Sequence, residues 1–333
     1  MDEALLRRNV RLYSWFKVFV KRVFLPLIAI YLVSVGHVTL GNIGVITAVT
    51  GFVILLAQMP TGYIADRYTR RSALMTGSLF LVSSVSVLVV WPSFVGGLAA
   101  SMLSGIGFAF LQGSSQAMIH DSLEACGRKS QYVKVMGRAQ AYGLLGNIVL
   151  VSLVPMTYAI NKRLPFVLGI VAFLILFVIS WSFVEPPREK NEGSNHAVRD
   201  MMLAIRSFIS KRTILLFVAI GVVFGLYVAP ADYTTLVLKD LGMLPQYLGW
   251  AYAASSLLGA IGGYGIGYFE RLSFRTFMFL DIAICCGFFV AVGLSRNLLV
   301  AVSAFVVALG FWRVRSILYQ HYLLEIFKGT RNK

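Results

Sequence analysis

Long stretches without a charged residue constrain this chain more than any other feature. No Asp, Glu, Lys or Arg occurs from Val23 to Ala65, and similar runs recur along the whole length. An α-helix needs about 20 apolar residues to cross a hydrocarbon core of about 30 Å. Only 13% of the 333 residues are charged and the mean hydropathy is +0.78, which is outside the usual range of soluble domains. These runs predict an all-α polytopic membrane protein.

The apolar runs divide into about ten predicted spans, and the short alternating segments of a membrane β-barrel are not seen. Three spans carry charged residues: Lys17, Lys21 and Arg22 in the first, Asp281 in the ninth, and Arg313 and Arg315 at the end of the tenth. The spans are 12–36, 42–65, 72–91, 93–119, 139–160, 164–184, 213–231, 246–269, 276–295 and 297–320.

The distribution of Lys and Arg over the loops predicts the orientation in the membrane. Of the 30 basic residues, 23 fall on one set of alternate loops, four fall on the other set, and the remaining three lie in the first span. Because cytoplasmic loops are enriched in basic residues, both termini are predicted to be cytoplasmic, as in a multi-pass protein of the plasma or inner membrane. The net charge of +16 is then mostly a topology signal, so no nucleic-acid partner is expected.

One long polar stretch, 185–212, separates six predicted spans from four. Its second part has apolar residues at helical spacing beside basic ones, which is typical of an amphipathic helix on the membrane surface. The alternative is a solvated linker. The stretch divides the chain into an N-terminal six-helix bundle, 1–184, and a C-terminal group of four helices, 213–333. "DRYTRR" at 66–71 has a counterpart in "ERLSFR" at 270–275, which predicts that the two halves are repeats.

The loop between the second and third spans carries a dense group of charges, "GYIADRYTRR". It resembles the signature loop of the major facilitator superfamily of transporters, in which Gly is followed after three residues by Asp-Arg and then by two basic residues. The matching positions are Gly62, Asp66, Arg67, Arg70 and Arg71, and Thr69 stands where the family usually has a second Gly.

The resemblance implies a conformational latch. In the family, the signature aspartate, here Asp66, caps the eleventh helix in the outward-open state. Arg70 would then link to an acid at the end of the fourth helix, here Asp121. Helix-dipole attraction and partly buried ion pairs together contribute about 1 to 3 kcal/mol to such a state. The alternative is that these charges only set the topology.

The chain departs from the family in three places. The resemblance implies twelve spans in two bundles, whereas ten are predicted, so the chain is expected to be truncated after the tenth span. In the fourth span, Ser101 and Ser104 stand where the family has an arginine and a glutamine, which excludes proton coupling through that arginine. The fifth span has no Gly-Pro pair, so the antiporter motif is missing too.

Ionisable and polar side chains inside spans are costly and are therefore candidates for a solute or ion cavity. Lys17 and Lys21 lie four residues apart on one helical face and would attract an anionic group if they face the cavity, or they would extend to the cytoplasmic surface if the first span starts later. Gln112, Gln116 and His120 form a polar stripe on the fourth span. Asp232 and Asp281 are candidate proton carriers, and Arg313 and Arg315 are either cavity charges or surface anchors.

Small residues at every fourth position predict close helix packing. Gly105 belongs to such a series in the fourth span, and Gly259, Gly263 and Gly267 form one in the eighth. The family resemblance places the eighth helix against the fifth, across the two halves. An interface between halves is therefore expected in preference to a dimer contact, and the protein is predicted to be a monomer.

These features predict a secondary active transporter that moves a small organic solute, anionic or amphipathic, by alternating access, driven by an ion gradient such as protons or acting as a uniporter. The alternative is a non-transporting membrane protein, either receptor-like or an inactive truncated transporter. No nucleotide-binding loop, zinc-binding motif or nucleophile motif occurs, so neither an enzyme nor a cofactor or metal site is expected.

Overall fold

The computed structural model describes residues 3–187, 233–264, 273–312 and Arg315. Among these residues, six helices are long and apolar enough to cross a membrane, and the protein is an all-α polytopic membrane protein. The predicted seventh span, 213–231, and most of the linker lie outside the described residues. The helices are α1 (Glu3–Phe19), α2 (Ile28–Ser34), α3 (Leu40–Arg67), α4 (Arg70–Val90), α5 (Phe94–Ala125), α6 (Tyr132–Leu153), α7 (Leu164–Ser182), α8 (233–240), α9 (Leu248–Tyr264), α10 (Phe274–Leu294) and α11 (Leu298–Trp312).

The first predicted span is not one continuous helix. α1 ends at Phe19, a short 3-10 helix follows at Leu25–Leu27, and α2 begins only at Ile28. Pro26 lies in this 3-10 helix and has no backbone N–H to bond the carbonyl of Arg22, so the helical ladder of α1 does not continue across the break at 20–24. The hydropathy pattern alone gave no indication of this discontinuity.

The long helices of the N-terminal half begin at side-chain caps. Thr39, Thr69 and Ser93 each accept a hydrogen bond from the backbone N–H three residues later, at the starts of α3, α4 and α5. Such caps satisfy donors that the first helical turn leaves without a partner. They explain why the boundaries fall within a few residues of the predicted ones.

Glycines allow α4 and α5 to approach closely. A Cβ atom on Gly77 would lie 2.9 Å from the carbonyl oxygen of Gly107, and one on Gly107 would lie 2.9 Å from the carbonyl oxygen of Gly77. α5 also packs against α3, where Gly105 faces Val53 and the carbonyl of Thr50. Gly105 thus serves packing inside the N-terminal half.

The described parts of the two halves touch through α6 and α9. A Cβ atom on Gly249, at the start of α9, would overlap the carbonyl oxygen of Val151 in α6. The Tyr233 hydroxyl donates to the carbonyl of Leu40 (2.8 Å), which joins α8 to the start of α3. These contacts lie at the end of the helices that the charge pattern predicts to face outwards, which we call the outer end.

The helix boundaries in the two halves match. α4 and α10 both have 21 residues, and their first residues, Arg70 and Phe274, are separated by the 204 positions that separate the two charged motifs. Their caps match as well, since Thr69 accepts from the N–H of Ser72 and Ser273 accepts from the N–H of Thr276. The starts of α5 and α11 have the same separation. The helix geometry therefore follows the repeat seen in the sequence.

Candidate functional site

The inner ends of α4 and α5 are joined by an ion pair. Arg70 Nε donates to Asp121 Oδ2 at 3.4 Å, and each side chain is about one-fifth exposed. Thr69 caps α4 and so places Arg70 at the first position of that helix, while Asp121 lies in the penultimate turn of α5. Both residues belong to the N-terminal half. Their contact alone therefore does not report the relative position of the two halves.

Glu185, the first residue of the linker, binds the N-terminus of α4 beside this ion pair. Its two carboxylate oxygens accept from the backbone N–H groups of Arg70 (2.8 Å) and Arg71 (2.9 Å). A carboxylate at a helix N-terminus is favoured both by these donors and by the helix dipole. Sequence reasoning missed this residue. The available signal was an acid placed directly after the last apolar residue of a span and before two prolines.

Asn9 connects three elements beside this cap. Its buried side chain donates to Ser122 Oγ (3.0 Å) and to the carbonyl of Val184 (2.7 Å), and it accepts from the N–H of Val184 (2.9 Å). These bonds hold the inner parts of α1 and α5 and the end of the sixth span at one level. Asn9 was not a sequence candidate, because a single asparagine near a chain terminus carries no pattern.

The remaining residues of the signature loop point to different places. Arg67 Nη1 donates to Tyr63 Oη (3.1 Å), one turn earlier in α3. Arg71 lines a surface cavity of about 480 Å³ with Arg8 and Glu185. Gly62 and Asp66 lie in the last two turns of α3. The side chain of Asp66 lies outside what the structure describes. Of the loop residues, Arg70 is the one seen paired with Asp121.

Two residues of the polar stripe, Gln112 and Gln116, line a groove between α3 and α5 together with Gly62 and Arg70 of the signature loop. Its volume is about 470 Å³. Gln58 Nε2 donates to Gln112 Oε1 (3.3 Å) across the groove, and Gln112 and Gln116 are both exposed. The groove is lined by Gln58, Gly62, Ala65, Arg70, Ala109, Gln112, Gly113, Ser114 and Gln116. Gln58 was not predicted, although an uncharged amide in an apolar span was a usable signal.

His120 continues the stripe to the inner surface. Its Nδ1 lies 3.4 Å from Asp121 Oδ1 and 3.8 Å from Glu124 Oε2, so the described residues include one trio with the spacing of metal ligands. Both carboxylates already have cationic partners, because Arg70 contacts Asp121 and Lys129 Nζ lies 2.6 Å from Glu124. We assign no metal to this trio.

The three basic residues of the first span are partly buried, and Lys17 and Arg22 contact neighbouring side chains. Lys17 is eight residues, or about 12 Å of helix, beyond Asn9 at the inner end. Whether Lys17 faces a cavity or extends to the surface stays a prediction. Lys17 Nζ lies 5.1 Å from the ring centre of Tyr13, and its Cβ is beside Gly143 of α6. The Arg22 guanidinium instead lies 5.1 Å from the ring centre of Phe108 in α5.

Asp281 forms a fully buried ion pair. Nη1 of Arg315 donates to both carboxylate oxygens of Asp281, at 2.8 and 2.9 Å, and neither side chain is exposed. Nη1 also lies 3.4 Å from Cys285 Sγ, and the guanidinium stacks 4.0 Å above Trp312. Asp281 and Arg315 thus form an ion pair. From the sequence they were separate predictions, Asp281 as a proton carrier and Arg315 as a cavity charge or surface anchor.

Several predicted residues are not placed. Asp232, Arg313 and Gly267 lie outside the described residues. Gly259 is buried in α9. Gly263 lies fourteen residues after Gly249 in the same helix, so Gly249 and Gly263 lie on one helical face.

Comparison with protein families matches residues 12–330 to the Major Facilitator Superfamily. Among curated proteins, the lactose permease of Citrobacter freundii is 27% identical over 198 residues, which cover 56% of this chain and 46% of the permease. The uncharacterized MFS-type transporter YxaM of Bacillus subtilis (strain 168) is 26% identical over 245 residues, covering 69% of this chain and 58% of YxaM. The chain thus spans about half the length of the curated relatives it matches.

Solved structures share the fold at low sequence identity. The nucleoside transporter NupG superposes with a TM-score of 0.75 at 12% identity, covering 94% of this chain and 80% of NupG. A D-xylose–proton symporter superposes with a TM-score of 0.56 at 13% identity, covering 94% of this chain and 79% of the symporter. At these identities the likeness extends to the fold alone.

Proposed function

Since the chain belongs to the Major Facilitator Superfamily, we propose that it is a secondary transporter which moves a small organic solute by alternating access. The observation that carries the proposal is the asymmetry of the bundle. Gly249 against Val151 and Tyr233 on Leu40 join the halves at the outer end, while the exposed Gln112 and Gln116 face a groove towards the inner end. This arrangement supports a state that is closed to the outside.

The solute would bind between the N-terminal half, 1–184, and the C-terminal helices, 213–333, which the amphipathic linker 185–212 connects. Lys17 and Lys21 favour a solute with a negative charge. The apolar side chains of the spans favour a solute that is also partly apolar. An ion gradient, such as protons, would drive the cycle. Asp281, which is paired with Arg315 in the structure, and Asp232 are the candidate proton carriers. We propose that one chain acts as a monomer.

The latch belongs to the same proposal. Asp66 would cap a helix of the other half in the outward-open state, and the Arg70–Asp121 pair would hold the α4 end beside it. Glu185 supports this role, because it fixes the first turn of α4 from the linker side. Since Arg70 and Asp121 lie in one half, the state-dependent contact must be made by Asp66.

A double-mutant cycle tests the latch and the alternation together. We expect Asp66→Asn and Arg70→Ala each to lower the outward-open population, and Arg70→Ala with Asp121→Ala to cost little more than either change alone. The coupling energy for such a partly exposed pair is about 1 kcal/mol. The readout is the labelling rate of Ala253→Cys, which is 7% exposed on the α9 face of Gly249, in a chain without native cysteines.

Arg128→Ala is the matched control, because Arg128 is an exposed basic residue of the next inner loop. It should leave the labelling rate unchanged. Strictly additive effects at Arg70 and Asp121 would contradict the latch and leave the loop as a topology signal. A cysteine at 253 that is never labelled from outside would contradict alternating access and favour the non-transporting alternative.

Membrane orientation is proposed from the charges: both termini cytoplasmic, in a plasma or inner membrane. A reporter fused after Arg188 or at the C-terminus should be active only in the cytoplasm, and one inserted beside Lys162 should be active only outside. The structure supports a common side for the loops near Arg70, Asp121 and Glu185, which touch one another. A reversed reporter pattern would overturn the orientation.

A further inference from the structure

The surface cavity of about 480 Å³ at the inner end lies between the start of α1, the start of α4 and the end of α7. Arg8 of α1 and Arg71 of α4 both line it. The membrane-crossing helices α4 and α7 begin and end beside it, at Arg70 and Ser182. The ends of spans lie at the level of the lipid headgroups. A ligand can therefore reach this cavity from the bilayer as well as from water.

Helix ends hold the charged groups of the cavity in place. Arg8 Nη2 donates to the carbonyl oxygen of Ser182 (3.2 Å) in the last turn of α7, where carbonyl groups lack partners within the helix. Glu185 accepts from the backbone N–H groups of Arg70 and Arg71, so its carboxylate is held at the first turn of α4. The described lining thus contains two guanidinium groups and one carboxylate, with Arg8 and Glu185 fixed by the helix ends.

Both arginines can bind an anion and keep the bonds that they already make. A guanidinium has five N–H donors, and the bond from Arg8 to Ser182 uses one of them. Arg71 Nε is shielded from solvent and has no hydrogen-bond partner among the described residues. Guanidinium groups bind phosphate oxygens through paired hydrogen bonds. A phosphate at this cavity would therefore add to the existing contacts, and none of them has to break.

The cavity also has an apolar wall. Trp181, in the last turn of α7, lines the cavity and is 57% exposed. Tryptophan is enriched at this level of a membrane, because its ring packs against apolar groups while its N–H stays among the headgroups. A free phosphate ion gains nothing from such a wall, whereas a phospholipid contacts both the arginines and the indole. The combination favours a lipid.

We propose that this cavity binds the headgroup phosphate of an anionic phospholipid, with Arg8 and Arg71 as its ligands and Trp181 against the glycerol end of the acyl chains. Basic pockets between spans on the cytoplasmic side are typical headgroup sites. The lipid would bridge α1 and α4 beside the first residue of the linker. Its place in the cytoplasmic leaflet rests on the proposed orientation, whereas binding itself does not.

Carboxylates of the chain itself are the competing occupants of the cavity. Several acidic residues have side chains outside the part of the chain that the structure describes, and one that filled the cavity would exclude the lipid phosphate. The test therefore includes a variant that neutralises those nearest to Arg8 and Glu185 in the sequence: Asp2→Asn, Glu3→Gln, Glu189→Gln and Glu192→Gln.

Native mass spectrometry of the full chain in detergent micelles measures the binding. The chain is titrated with phosphatidylglycerol, with phosphatidylcholine and with inorganic phosphate. We expect one phosphatidylglycerol to bind more tightly than phosphatidylcholine, and an excess of inorganic phosphate not to displace it. Arg8→Gln and Arg71→Gln should each weaken this binding about fivefold, the contribution of one basic side chain at a membrane surface. Arg8→Lys and Arg71→Lys should retain most of it, because they keep the charge.

Arg11→Gln is the matched control, since Arg11 is an exposed basic residue of the same helix outside the cavity lining. It should leave the affinity within about twofold of the parent. Loss of fold does not imitate the expected result at Arg8, because glutamine keeps a donor for the carbonyl of Ser182.

Three results would overturn the proposal. The first is equal affinity for the two lipids, or phosphatidylglycerol binding that neither cavity variant weakens. The second is displacement by inorganic phosphate, which would show a site for free anions. The third is binding that appears only in the variant with four neutralised acids, which would show that carboxylates of the chain fill the cavity. Failure of the transport proposal is separate, since it is read from the labelling of Ala253→Cys.

Discussion

Replacement of Asp281 by Asn is expected to lower the free energy of unfolding by about 3 to 5 kcal/mol, because it removes the carboxylate charge that faces the buried guanidinium of Arg315. Nη1 of Arg315 contacts both oxygens of Asp281, and neither side chain is exposed. Arg315→Leu should have an effect of similar size, since it removes the cation that contacts both oxygens of the buried carboxylate. Denaturant titration in detergent micelles measures both variants.

The double variant Asp281→Ala with Arg315→Leu should recover most of the lost stability. The repeat offers a natural comparison, because the positions 204 residues earlier are Gly77 and Leu111, which meet without any charge: a Cβ on Gly77 would lie 2.9 Å from Leu111 Cγ. An apolar pair therefore packs at this point of the repeat. A double variant as unstable as the single ones would show that the ion pair is required for the packing itself.

Replacement of Gly249 by Leu is expected to hold the outer end open. A Cβ at this position would overlap the carbonyl oxygen of Val151 and would lie 3.0 Å from Pro155 Cγ, so α6 and α9 must separate. Strain of about 1 to 3 kcal/mol corresponds to a shift of about 5- to 150-fold between two states. The labelling rate of Ala253→Cys from outside should rise accordingly, and solute transport should stop.

Gly41→Leu provides the control for this change. Gly41 lies in the first turn of α3 at the same outer end, and nothing lies within 4 Å of a Cβ placed there. It should affect neither labelling nor transport. If Gly249→Leu also left the labelling rate unchanged, the contact between α6 and α9 would not be the one that moves.

The positions of the long membrane-crossing helices among the described residues followed from hydropathy, because a span must satisfy its own backbone hydrogen bonds and therefore needs a long apolar run. The starts of α4 and α5 were predicted at 72 and 93 and fall at 70 and 94, where the structure shows that Thr69 and Ser93 cap these helices. The break at Pro26 did not follow, since proline also occurs inside continuous helices here, as Pro60 in α3 shows.

Part of the candidate site was predictable from the sequence and part was not. Positions that a spacing rule describes, such as Gln112 and Gln116, were found in the sequence and do line one groove. Partnerships across long separations were not derivable: Glu185 reaches Arg70 over 115 positions, and Asp281 reaches Arg315 over 34. The Arg70–Asp121 contact was anticipated from the family resemblance, and its role as a latch stays a prediction.

The hydrogen bonds of Asn9 to Ser122 and Val184 have a consequence for synthesis in the cell. Its partner Ser122 follows it by 113 positions and its partner Val184 by 175. Ribosomes add about 5 to 20 residues per second, so about 10 to 35 s pass after the synthesis of Asn9 before its last partner exists. During that interval Arg22 and the two lysines reside among lipids and incomplete neighbours. The N-terminal half therefore closes around its first helix late, and insertion of that helix depends on whatever shelters its charges meanwhile.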